Sequence, residues 1–189
     1  MSNIRNARIA ILATDGYERS ELREPLEKLR EKGAELVVLS VKEGEIRSWD
    51  KDDWGDSVPV DGLVKDASTA EYDALVLPGG QINPDLLRVN EDAIDFIRAF
   101  AKSGKTLAAI CHAPWLLAEA GALKGRNVTS YPSIRTDVEN AGGKWEDSEV
   151  VVDQAIITSR NPDDLPAFID KIVEEIREGR HERTLSPAD

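Results

Sequence analysis

Continuous apolar segments alternate with helical patterns along this chain, and this alternation limits the possible fold more than any other feature. Residues 7–14 form an almost unbroken apolar run, which is typical of a strand covered on both faces. Residues 18–32 follow with leucines at helical spacing, and residues 34–41 form a second apolar run. Strand, helix and strand in this order predict a right-handed crossover onto a parallel sheet.

Further strands are predicted at 73–77 and 107–110, and Asn83-Pro84, Asn90 and Asn161-Pro162 are typical capped helix starts. The segment 44–60 interrupts the alternation with Gly, Asp and Ser, which predicts a β-hairpin laid over the sheet. We therefore predict one doubly wound α/β domain over residues 1–179, with this small β insertion. The charged residues 180–189 are expected to form a loose tail.

Composition narrows the possible partners and the compartment. The net charge of −12 over 189 residues disfavours nucleic acid and anionic membranes as standing partners. A single cysteine cannot form an intrachain disulfide and fits a reducing compartment. No signal peptide or membrane span is visible, so we expect a cytoplasmic protein.

The single cysteine, Cys111, stands where a strand pattern gives way to a helical one that begins near Trp115. This arrangement is typical of a nucleophile elbow, which needs small residues two positions before and after the nucleophile. Ala109 and Ala113 meet that need. The helix amides beyond the elbow would favour the thiolate. The alternative, a small buried hydrophobe, stays open.

Three loops are expected to meet at the carboxyl edge of the sheet: 15–18, 78–80 and 111–112. His112 is the plausible base, because His181 falls in the tail. Glu18 is predicted beside the sulfur, protonated and donating a hydrogen bond to the thiolate. Each has a structural alternative: a histidine bonded to backbone, and an acid that serves only the helix dipole.

Gly79 and Gly80 would allow close approach of the backbone to the sulfur. The amides of Gly80 and His112 are the expected oxyanion donors, and a plain tight turn is the alternative. Tyr17 lies on the first of the three loops and is a candidate pocket residue.

The blocks AICHAPWLL, DALVLPGG, TSYPSIRTDVENAGGKWED, SEVVVD and ITSRNPDDL resemble the ThiJ/PfpI superfamily, most closely its PfpI-type intracellular proteases. The resemblance covers roughly Arg8 to Ile176. It implies a flavodoxin-like three-layer sandwich, related to class I glutamine amidotransferases, that forms a homodimer or larger homo-oligomer. It matches Cys111, His112 and Glu18 to the family's site, and it places Tyr131 near the pocket and Asp85 beside His112 of a neighbouring subunit.

Three functions are compatible with these residues. The first is a stress-response enzyme acting on reactive carbonyls, as a methylglyoxal glyoxalase or a deglycase; the second is an intracellular cysteine peptidase. The third is a redox sensor or holdase chaperone. None needs a metal or organic cofactor. Amidotransferase activity is excluded, because the late strand ends in 158–161 without the His-x-Glu pair of those enzymes.

Overall fold

The computed structural model describes residues 4–183, and a seven-stranded sheet forms its centre. The strands are β1 (Arg8–Leu12), β2 (Tyr17–Glu18), β3 (Glu35–Ser40), β4 (Glu45–Asp50), β5 (Asp53–Pro59), β6 (Gly62–Leu63), β7 (Ala74–Leu77), β8 (Thr106–Ile110), β9 (Asn127–Val128), β10 (Lys144–Trp145), β11 (Val151–Asp153) and β12 (Ile156–Ser159). The helices are α1 (Arg19–Glu31), α2 (Ile82–Leu87), α3 (Glu91–Lys102), α4 (Pro114–Glu119), α5 (Arg135–Asn140) and α6 (Leu165–Glu178).

The central sheet has the order β11-β12-β8-β7-β1-β3-β6, and every pairing is parallel except that of β11 with β12. Strands β1, β7 and β8 are almost wholly buried because helices cover both faces of the sheet. The predicted doubly wound, flavodoxin-like fold is confirmed. Because β12, β8, β7 and β1 are neighbours, the loops that follow them meet at one edge.

Two apolar cores hold the three layers together, one on each face of the sheet. On one face α1 and α6 pack through leucines and the side chains of Phe168 and Ile172. On the other face α3 and α4 pack through Ile97, Phe100 and Leu116. The sheet side chains alternate between these cores, which is the pattern expected for strands covered on both sides.

The predicted hairpin over 44–60 is present as the antiparallel pair β4–β5, joined to β2 in a separate three-stranded sheet. Trp49 and Trp54 meet edge to face across it, with ring centroids 5.5 Å apart. Asp56 of the hairpin accepts hydrogen bonds from Arg19 and Arg23 of α1. These contacts hold the hairpin against the first turns of α1, next to the loop that follows β1.

The prediction that Asn83 caps a helix is wrong. Asn83 lies inside α2 and is buried; its amide nitrogen donates to the carbonyl oxygens of Pro78 and Gly79, and its oxygen accepts from Thr14 N at 2.7 Å. The side chain thus ties the loop after β1 to the loop after β7. The caps predicted at Asn90 and Asn161 are confirmed, since each side chain accepts a backbone N–H of its own first turn.

Residues 180–183 pack against the domain, where a loose tail was expected. His181 N donates to Gly104 O at 2.9 Å, and the Arg183 guanidinium donates to the carbonyl oxygens of Ala101 and Lys105. The remainder of the predicted tail, 184–189, lies outside the described residues. Within 4–183, no helix combines the length and apolar character that crossing a membrane requires.

Candidate active site

Cys111 occupies the sharp turn between β8 and α4 and has a φ of +64°. This left-handed backbone is strained for a residue with a side chain, and such strain is typical of functional positions. Two backbone hydrogen bonds hold Cys111 in this conformation: Cys111 N donates to Ser159 O at 3.0 Å, and Cys111 O accepts from Tyr131 N at 2.8 Å. The residue is 6 % exposed, so it is enclosed but not sealed.

The His112 imidazole lies against the sulfur, with Nδ1 3.1 Å from Cys111 Sγ. Its other nitrogen, Nε2, is 3.2 Å from Ser133 Oγ, and its ring stacks on Tyr131 with the centroids 4.8 Å apart. The edge of Trp115 closes a further side. Burial lowers the pKa of His112, so the ring is neutral at neutral pH and can accept a proton.

The acid beside the sulfur is Glu21, on the first turn of α1. Its carboxyl is fully buried, and Oε2 accepts a hydrogen bond from Gly79 N at 2.8 Å. The other oxygen, Oε1, has no hydrogen-bond partner among residues 4–183. A hydrogen bond between Glu21 and the Cys111 thiol affects the pKa of both groups. Glu21 was not singled out in the sequence.

The predicted placement of Glu18 beside the sulfur is therefore corrected. Glu18 is the N-cap of α1, and its Oε2 accepts from Glu21 N at 2.8 Å and from Ser20 Oγ at 2.5 Å. A cap residue turns its side chain back onto its own helix. Glu21, three residues later, points inward with the apolar stripe of α1 and reaches Cys111.

The protonation states of Glu21 and Cys111 depend on each other. Burial first, and then the nearby Glu18 carboxylate, raise the pKa of Glu21 to about 8. Burial and the Glu21 carboxylate also raise the pKa of Cys111, whereas hydrogen bonds from the amides of Gly80 and His112 lower it. Glu21 is hence mostly protonated at neutral pH, and the charge that most opposes a thiolate is then absent.

Neither Gly79 nor Gly80 has room for a side chain, and Gly80 also has a left-handed backbone conformation. A Cβ on Gly79 would lie 2.6 Å from Cys111 Cβ and 2.7 Å from Ile110 O. Gly80 has a φ of +81°, and a Cβ there would lie 2.5 Å from Gly16 O. The Gly79 amide is used by Glu21, while the Gly80 amide faces the sulfur, where the oxyanion donor was predicted.

The other predicted residues differ in their access to the sulfur. Tyr131 is 39 % exposed and covers the His112 ring. Tyr17 is fully buried in the core under the hairpin, and burial raises its pKa to about 12, so it does not line an open pocket. Asp85 is exposed on α2; its predicted contact with a second subunit stays a prediction.

The site therefore joins a strained thiol, a neutral imidazole and a protonated buried carboxyl, with two backbone amides directed at the sulfur. These groups suit nucleophilic attack on a carbonyl carbon. The sulfur supplies the electron pair, the imidazole takes its proton, and the acid and amides can serve the oxygen that gains charge.

Comparisons with known proteins identify a family for this chain. The model of the DJ-1/PfpI family matches residues 7–175. Protein/nucleic acid deglycase 2 of Escherichia coli is 43% identical over 162 residues, which cover 85% of this chain and 92% of that protein. A protein of Bacillus subtilis named as a candidate cysteine protease is 40% identical over 161 residues, covering 85% of this chain and 93% of that protein.

A solved structure has the same fold as this chain. The crystal structure of a two-domain protein from Anabaena variabilis, with DJ-1/ThiJ/PfpI-like and ferritin-like domains, aligns with a TM-score of 0.86 and 33% identity. The alignment covers 96% of this chain but 52% of that one, so the chain spans about half of the two-domain protein.

Proposed function

The chain belongs to the DJ-1/PfpI family, and on that premise we propose that it is a cysteine-dependent enzyme that removes or detoxifies reactive carbonyls. The substrates are methylglyoxal and the adducts that it forms with amino groups. The observation that carries the proposal is the position of Cys111, held in a strained turn between the neutral imidazole of His112 and the buried acid Glu21.

The reaction begins when Cys111 Sγ attacks the aldehyde carbon of methylglyoxal. The thiol proton passes to His112 Nδ1, 3.1 Å away, and the carbonyl oxygen takes a proton to give a hemithioacetal. In an amine adduct the same carbon carries a hydroxyl and the amino group, and the amine leaves as the carbon–sulfur bond forms. The amides of Gly80 and His112 stabilise negative charge at this centre.

A proton transfer and a hydrolysis complete the cycle. The base removes the hydrogen from the sulfur-bearing carbon, and a proton is returned to the neighbouring carbon, which converts the hemithioacetal into a lactoyl thioester. Water then cleaves the thioester to lactate and restores the thiol. Methylglyoxal and one water thus give lactate with no net oxidation. Glu21, protonated up to about pH 8, is the proposed donor in these steps.

Peptidase activity is the second candidate, favoured by the candidate cysteine protease of Bacillus subtilis among the relatives. The enclosure of the site argues against it as the main activity. Cys111 is buried and His112 lies under Tyr131, which admits a small carbonyl more readily than an extended polypeptide.

A cysteine that must stay reduced fits the cytoplasm as the proposed location.

We also propose that the active form is a homo-oligomer in which Asp85 of a neighbouring copy approaches His112. Asp85 is exposed, as such a contact requires. Within one chain, Ser133 Oγ already lies 3.2 Å from His112 Nε2. The Asp85 carboxylate of a second subunit would be a further partner of the imidazole and would not replace Ser133.

The test is turnover of methylglyoxal, of a glycated amino acid and of a fluorogenic peptide panel, run side by side with wild type and Cys111→Ala. We expect lactate from the first two substrates with wild type, and none with Cys111→Ala. Lactate formation that survives in Cys111→Ala refutes the proposed nucleophile. Peptide cleavage that exceeds carbonyl turnover and depends on Cys111 selects the peptidase instead.

A further inference from the structure

A second cluster of chemically reactive side chains lies far along the chain from the sulfur, at the end of α6. Glu175, Glu178 and His181 follow one another at intervals of three residues, and their ligand atoms all lie within 4.8 Å of one another. His181 Nε2 is 3.2 Å from Glu175 Oε2 and 3.7 Å from Glu178 Oε2. Nothing in the proposed carbonyl chemistry uses these residues.

Glu175 is the unusual member of this cluster, because one oxygen of its carboxylate is buried without a hydrogen bond. The residue is 5 % exposed, and Oε2 has no hydrogen-bond partner among residues 4–183, although His181 Nε2 lies close to it. A buried carboxylate oxygen that accepts no hydrogen bond destabilises the folded chain. Such an atom indicates a ligand.

Neither Lys171 nor Arg183 donates a hydrogen bond to Glu175 Oε2. Lys171 donates to Glu174 at 2.7 Å. Arg183 donates to the backbone carbonyl oxygens of Ala101 and Lys105.

The docking of residues 180–183 is what brings His181 to the cluster. His181 N donates to Gly104 O, and a Cβ on Gly104 would clash with His181 O, so only glycine allows this approach. The helix places the two carboxylates on one side of its last turn. The imidazole is therefore held against both carboxylates by backbone contacts that do not depend on its own charge.

The distances from His181 Nε2 to the two carboxylates also fit ligands that share one metal ion. Two ligand atoms that are each about 2.1 Å from zinc and 3.2 Å apart make an angle of about 100° at the metal. A separation of 3.7 Å makes an angle of about 125°. Both angles lie near the tetrahedral value that zinc prefers, and carboxylate oxygen and imidazole nitrogen are ordinary zinc ligands.

We propose that Glu175, Glu178 and His181 form a divalent transition-metal site, with zinc as the ion tested, that fastens residues 180–183 to the end of α6. Water completes the coordination, since three protein ligands leave a fourth tetrahedral position open. A bound ion stabilises the folded chain in proportion to the logarithm of its concentration above the dissociation constant. The site is separate from Cys111 and needs no part of the carbonyl chemistry.

The experiment measures Zn²⁺ binding by calorimetry on the full chain carrying Cys111→Ser, which removes the thiol as a competing ligand. We expect one ion per chain and a rise in the melting temperature on adding Zn²⁺. In the same background, His181→Gln and Glu178→Gln should weaken binding at least tenfold and abolish the thermal shift. Both positions are partly exposed, so the variants should fold. Glu175→Gln should do the same if it folds.

Glu174→Gln is the matched control, because this neighbouring acid of α6 is not part of the cluster, and it should bind Zn²⁺ like the parent. Co²⁺ gives an independent readout, since a nitrogen- and oxygen-bound tetrahedral ion has visible absorption that His181→Gln should remove. Absence of saturable Zn²⁺ binding by the Cys111→Ser parent overturns the proposal. Unchanged binding in His181→Gln overturns it as well.

Discussion

The buried carboxyl of Glu21 should make the stability of this protein depend on pH in a defined direction. Its pKa is about 8 in the folded chain, against 4.5 when exposed. Because the folded state holds this proton more tightly than the unfolded state, the contribution of Glu21 to stability is complete below pH 4.5. It is lost as the pH rises through 8. Glu21→Gln keeps the size of the side chain and removes the titration.

The size of the effect follows from the two pKa values. At 1.36 kcal/mol for each unit, the full difference between low and high pH is about 5 kcal/mol. Between pH 5 and pH 8 the wild type should lose about 3.5 kcal/mol of unfolding free energy relative to Glu21→Gln. The Glu21 carboxyl therefore adds most to the unfolding free energy of the wild type at acid pH and least at alkaline pH.

The assay is urea unfolding at a series of pH values and at one fixed protein concentration. Glu24→Gln is the matched control, because it removes an exposed acid from the same helix. The reasoning is refuted if the difference between wild type and Glu21→Gln stays constant from pH 5 to pH 8. A pH-dependent difference of equal size in Glu24→Gln would refute it too.

Three further substitutions test the surroundings of the sulfur. Ser133→Ala removes the hydrogen-bond partner of His112 Nε2. The loss of a hydrogen bond of about 1 kcal/mol should lower kcat about fivefold and leave KM little changed. An unchanged kcat would contradict this role of Ser133. Gly79→Ala should abolish turnover because its Cβ would meet Cys111 Cβ at 2.6 Å, whereas Gly62→Ala, whose nearest contact is 3.4 Å, should stay active. Equal activity of these two variants would be evidence against the proposed crowding. Glu18→Ala should lose about 1 kcal/mol of stability with the helix cap, measured by urea unfolding, and keep most carbonyl turnover; complete inactivation would restore Glu18 as the acid.

The elbow could be predicted from sequence because local rules determine it. The apolar run of β8 stops at Cys111, and a helical pattern begins within four residues. Such a turn leaves room only for small neighbours, and Ala109 and Ala113 are both fully buried. The doubly wound α/β class also followed from apolar runs separated by helical patterns, since each crossover returns the chain to a parallel sheet.

The identity of the buried acid could not be settled in the same way. Glu18 and Glu21 stand three residues apart at the start of one helix, and either can serve the first turn. A signal was nevertheless present: the first of two such acids suits the cap, while Glu21 lies directly before Leu22 on the buried stripe of α1. A charged residue on an apolar stripe indicates a function for its charge.

The docking of residues 180–183 and the role of Asn83 were missed because both depend on backbone groups distant in the sequence. The bonds from His181 N to Gly104 O and from Thr14 N to Asn83 Oδ1 cross the domain, and residue type alone does not predict them. Asn83 also stands before a proline, which favours a cap by local rules. The long-range bonds of its amide outweigh that preference.

The central claim is that the sulfur of Cys111 forms a covalent bond to the carbonyl carbon during turnover. The most direct measurement is peptide mass mapping of protein quenched while it turns over methylglyoxal, with wild type and His112→Ala compared. The account predicts a substrate-derived adduct on the wild-type peptide that contains Cys111, and much less of it in His112→Ala because the thiol then lacks the acceptor of its proton. Steady lactate production with an unmodified Cys111 peptide in both proteins would contradict it.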